Sequence, residues 1–132
     1  MIGLDTNVLV RYITQDDREQ ADIATHWIEA NCSLDSPGWI NVIVLCETVW
    51  VLSRAYGYDK ATVQSVLQRI FLACELTVEN QEDAWSALRD YAQGNADFSD
   101  YLIACMNRSA ACKYTVSFDR KASEHRLIQL LE

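Results

Sequence analysis

Short apolar runs alternate with longer helical segments along the whole of this chain. Residues 2–5 read as a strand, residues 36–41 hold a second short one, and Leu76-Thr77-Val78 makes a third. Tyr114-Thr115-Val116 and Leu127 to Leu130 follow as the fourth and last. Between them the spacing predicts helices from Asn7 to Ile13, over residues 17–31, through INVIVLCETVWVLSRAYG to near Gly57, and through KATVQSVLQRIFLAC. In the last of these, Val63, Val66, Leu67, Ile70 and Phe71 form one face. Further helices are predicted over residues 81–93, ending at Gly94, and in FSDYLIACMNRSAAC, with a helical turn from Asp119 to Glu124. Strands alternating with helices imply an α/β fold, a mainly parallel sheet covered on both faces. Functional groups in such sheets collect at the carboxyl ends of the strands. Asp5 and Asp119 each follow a strand at that end.

At 132 residues, half of them hydrophobic, the chain is long enough for one domain over 1–132 with a real core. Its apolar stretches are far shorter than a membrane span needs, so no membrane association is expected. Neither a basic leader region nor a cleavable apolar one opens the sequence, so no secretory signal is read. The five cysteines are odd in number and form no C-x-x-C pair, which suggests neither a zinc knuckle nor a disulfide framework. Cys46 and Cys105 lie in apolar helical patterns as small core residues. A reducing cytoplasm is the natural setting. The net charge of −8 argues against binding nucleic acid through a basic surface. It leaves room for a nucleic-acid substrate held through a divalent metal, because the ion supplies the positive charge.

The acids carry the chemistry. Glu47 sits among Val44, Leu45, Val49, Val51 and Leu52, where a carboxylate facing the core is costly unless it is paired or metal-bound. The plainer alternative makes Glu47 and Thr48 the solvent stripe of that helix. Asp97 and Asp100 have a plain reading too, as N-cap and third helical residue, and Asp5 and Asp119 can be caps of the turns that follow them. As a group the acids say more, since no lysine or arginine adjoins Asp5, Glu47 or Asp100. Two unit charges 4 Å apart repel by about 4 kcal/mol at an effective dielectric of 20. Such a cluster calls for protons or for a hard cation such as Mg²⁺ or Mn²⁺.

LDTNVLVRY, VLCETVWVLSRAYG, NADFSDYLIAC and VSFDRKA, in that order over the full length, resemble a PIN domain, specifically the VapC-type ribonuclease toxins of bacterial toxin–antitoxin pairs. The resemblance implies a three-layer α/β/α sandwich with a mainly parallel central sheet. It implies that Asp5, Glu47, Asp100 and Asp119 are catalytic, and that with Asp97 they bind metal. Thr6 and Asn7 would be the usual polar followers of the first aspartate, and Ser117 stands where threonine is common. Thr6, Asn7 and Ser117 would orient the carboxylates or water. An Mg²⁺- or Mn²⁺-dependent endoribonuclease is implied, with an RNA substrate, a cognate antitoxin protein and a homodimer.

Arg11, Arg54, Arg120 and Lys121 lie near these motifs as candidate phosphate contacts or as plain surface charge. His26 and His125 are read as structural or surface residues. Two other readings compete. A phosphoacceptor receiver-like domain would want an acidic pair after the first strand and a lysine after the last. A catalytically silent PIN-like module would bind protein through aromatics such as Trp27, Trp39, Trp50, Tyr56 and Tyr58.

Overall fold

A computed structural model describes residues 1–132. The chain forms two compact units, Met1–Glu79 and Asn80–Glu132.

The first unit holds a three-stranded parallel sheet in the order β1 (Ile2–Gly3), β2 (Gly38–Ile40), β3 (Leu76–Val78). Gly38 is paired on both sides, with Ile2 and with Leu76. A Cβ there would come within 2.9 Å of Leu4 Cδ1 and 3.2 Å of Cys32 Sγ, so glycine leaves room for those two buried side chains beside the strand. The helices are α1 (Thr6–Thr14), α2 (Arg18–Asn31), α3 (Val42–Arg54) and α4 (Lys60–Leu72). α1 packs against α2 and α3, and α4 against α3 and β3. Leu9, Ile28, Ile40, Leu45, Leu52 and Leu67 are fully buried. Tyr12 of α1 donates its hydroxyl to Glu75 Oε2 at 2.6 Å, just ahead of β3. Burial and the Glu75 carboxylate push that phenol up to about 12.

The second unit pairs β4 (Thr115–Ser117) with β5 (Ile128–Leu130), also parallel, and packs α5 (Gln81–Gln93) on α6 (Phe98–Ser109). Phe98, Leu102, Ala104 and Cys105 put one face of α6 inside. A Cβ on Gly94 would collide with the Tyr101 hydroxyl, which accepts the buried Ala96 N–H at 3.1 Å. That small-residue corner fixes the chain where it enters α6.

Most sequence-derived boundaries agree to within a residue or two. α6 stops at Ser109, short of the predicted Cys112, because Ala111 turns to φ +70. α3 likewise ends at Arg54, with Gly57 in the left-handed region beyond it. The predicted turn at Asp119–Glu124 is a 3₁₀ turn limited to Ala122–Glu124. Cys105 is buried as expected, but Cys46 is only partly covered.

Candidate functional site

Every helix of the first unit starts on an Asp or Asn. Asp17, Asn41 and Asp59 each close the first turn with their side chain, accepting from the N–H of Gln20, Val44 and Thr62 at 3.1, 2.9 and 2.8 Å. Asp5 holds the same N-cap position on α1, with φ −80 and ψ 159, and makes no such bond. Its carboxylate is exposed and lines a cavity of about 370 Å³ together with Thr6, Asn7, Glu47, Trp50 and Val51. The buried Thr6 reaches across from α1 and donates from Oγ1 to Glu47 Oε1 at 2.7 Å.

Glu47 does not face the core. Along α3 the exposed positions are Ile43, Glu47, Trp50 and Arg54, a stripe of period 3.6. Thr48, its neighbour in the expected solvent stripe, is fully buried and donates to Val44 O at 2.7 Å. Burial therefore does not explain the glutamate, and its cost is not incurred. What distinguishes Glu47 is its place on a cavity wall beside Asp5.

In the second unit the acids are engaged with backbone. Asp97 is the N-cap of α6, its N–H donates to Asp100 Oδ2 at 3.3 Å, and the two form a capping box. Asp119 accepts the Ala122 N–H at Oδ1 and gives its own N–H to Ser117 Oγ, both at 3.0 Å. Ser117 thus shapes the corner that presents Asp119. Burial first, and then the charges of Asp119 and Asp97, raise the Asp100 carboxyl above its ordinary range, against the opposing hydrogen bond from Asp97 N–H. A carboxylate in that state gains from any nearby cation.

All these donors are hard oxygens, the type that suits Mg²⁺ or Mn²⁺. The unbonded Asp5 carboxylate and the crowded Asp100 both fit such an ion. No group of three or more His, Cys, Asp or Glu side chains comes together as a ready-made ion cage.

The remaining candidates are mostly engaged elsewhere. Arg11 is tied to Gln20 at 2.7 Å, Tyr56 at 2.9 Å and Asp16 at 3.3 Å. Arg120 lies 3.8 Å from Glu132 in a pair so exposed that it contributes little. His26 bonds its own helix through Asp22 O. His125 bridges Asp90 at 2.8 Å through Nε2, while Nδ1 accepts the Leu127 N–H, a structural role. Two residues gain a place near the acids that the sequence did not give them. Tyr101, next to Asp100, orders the entry to α6, and Trp50 stands on the Asp5–Glu47 cavity, at i+3 from Glu47.

The chain matches the PIN domain family over residues 2–126 and belongs to it. Its helices and mainly parallel strands agree with the family's three-layer α/β/α fold. The membership supports a nuclease-type, hydrolytic function, and PIN domains are generally metal-dependent. No protein of curated function matches the chain. No helix is long and apolar enough to cross a membrane.

Proposed function

We propose that this chain is a divalent-metal-dependent endoribonuclease, the toxin of a toxin–antitoxin pair, acting in the cytoplasm as a single PIN domain over residues 1–132. The observation that carries the metal reading is the Asp5 carboxylate. It stands at a helix start, left out of the capping bond that its three counterparts make, on the same cavity as Glu47.

Asp5, Glu47, Asp97, Asp100 and Asp119 are the metal-binding acids, and Asp5, Glu47, Asp100 and Asp119 the catalytic set. Held by these carboxylates, an Mg²⁺ or Mn²⁺ ion would supply a water made nucleophilic at neutral pH and positive charge for the phosphate oxygens. Thr6 keeps Glu47 in one orientation through its 2.7 Å hydrogen bond. Ser117 holds the backbone of Asp119 in the turn that presents its carboxylate. Asn7, exposed on the cavity wall, is within the same pocket to orient water. A homodimer and a cognate antitoxin that covers the acids complete the proposal.

Cleavage of a total-RNA pool by antitoxin-free protein tests it. The runs contain Mg²⁺ or Mn²⁺, or EDTA, with Asp100→Asn as the contamination control. Discrete fragments that need metal and vanish in the variant are expected. Folded, metal-loaded protein that leaves every RNA intact would favour a silent binding module.

A further inference from the structure

An acidic chain that acts on a polyanion has to draw affinity from somewhere other than its net charge of −8. Arg11, the cation on the neighbouring wall of α1, is already held by Gln20, Tyr56 and Asp16. What the Asp5–Glu47 cavity does offer is an indole. Trp50 is 59% exposed, lies one helical turn beyond Glu47 on the same stripe of α3, and lines the same cavity of about 370 Å³. No hydrogen bond or ring contact in the chain engages it.

A single exposed aromatic is ordinary on a protein surface. This one forms a wall of the cavity that Asp5 and Glu47 also line. Bases stack on aromatic faces without regard to sequence or to charge, so an indole serves an acidic protein where lysine would otherwise be used. The partner that suits both features of this cavity is a nucleotide, with its phosphate toward the acids through the ion and its base toward the ring.

We infer that Trp50 is the stacking platform for a nucleobase of the RNA adjoining the phosphate that is cut. The inference rests on the nuclease reading and adds the residue that binds the substrate. Trp50 binds rather than reacts, so its loss falls on KM and on affinity while kcat is little changed.

The test compares wild type, Trp50→Ala and Trp50→Phe. Affinity for an end-labelled random-sequence RNA oligonucleotide is read by fluorescence anisotropy in Ca²⁺, kcat and KM are read in Mg²⁺, and association state by sedimentation. Trp50→Ala is expected to weaken binding and raise KM by about 10- to 100-fold, and Trp50→Phe to restore most of both. Sedimentation is expected to be the same for all three. Unchanged KM in Trp50→Ala, with wild type cutting normally, would overturn the stacking role and leave the nuclease standing. Loss that phenylalanine does not rescue, or a shift in sedimentation marking a contact between copies, would overturn it too. Wild type that neither binds nor cuts RNA would remove the nuclease and the stacking together.

Discussion

The two units treat their acids in opposite ways. In Met1–Glu79, the Asp5 carboxylate makes no capping hydrogen bond and Glu47 is steadied by a side chain, Thr6. In Asn80–Glu132, Asp97, Asp100 and Asp119 are all woven into backbone turns, and Asp100 feels the charge of the other two. The Asp5 carboxylate can be removed with little harm to the fold, whereas loss of Glu47 would take the partner of the buried Thr6 hydroxyl. The carboxylates of the second unit contribute to the turns and carry a mutual repulsion, so their removal touches stability as well as chemistry.

The sharpest way to break this contrast is Asp5→Asn. It is expected to lower metal-dependent cleavage on the order of 100-fold or more, since several kcal/mol of charge stabilisation depend on the ion. Its melting temperature should stay near that of wild type, because no capping hydrogen bond is lost. A large drop in melting temperature would show that Asp5 is structural after all.

Asp100→Asn should do something different. The raised Asp100 carboxyl ionises later in the folded chain than in the unfolded one. Its contribution to stability is therefore fully present below the unfolded pKa and is lost as pH rises through the folded value. At neutral pH the ionised group is a burden. The amide should raise the melting temperature of metal-free protein slightly, solvent screening keeping the effect small, and shrink the further rise that millimolar Mn²⁺ gives wild type. Calorimetry with and without Mn²⁺ reads both effects.

The smallest effect separates the units by pH. Tyr12, with its hydroxyl pushed from 10.0 up to about 12, supports the first unit below pH 10. That support fades as pH rises from 10 to about 12, and Tyr12→Phe should flatten the decline. Hydrogen exchange resolved by segment should show the alkaline loosening in α1 and β3 and leave α5 and α6 unaffected. A uniform response would mean that the two units unfold as one.

The sequence made some of this plain and hid the rest for physical reasons. β3 at Leu76–Val78 and α5 at Gln81–Gln93 were legible because polar residues bracket a short apolar run and Gly94 closes the helix. The end of α6 was not, since its positive-φ residue is Ala111 and no glycine marks it. The orientation of Glu47 was hidden by company. Ile43 is 68% exposed and Trp50 59%, so the solvent face of α3 carries apolar letters and reads as core. The acids were singled out by their motifs, and the structure adds how each carboxylate is engaged. Whether an aspartate at a helix start uses its carboxylate for capping or withholds it is a matter of rotamer, on which the one-letter code is silent.

The free start of α1 sets two selection pressures against each other at one codon. A serine at position 5 can supply the missing bond to the first turn, worth about 1 kcal/mol, while deleting the carboxylate. If Asp5 holds the proposed metal, rounds of selection for heat resistance alone would then drift toward a firmer helix and a silent protein, whereas selection for cleavage would hold the aspartate in place. Any campaign to harden this scaffold has to freeze residue 5 before the first library is made.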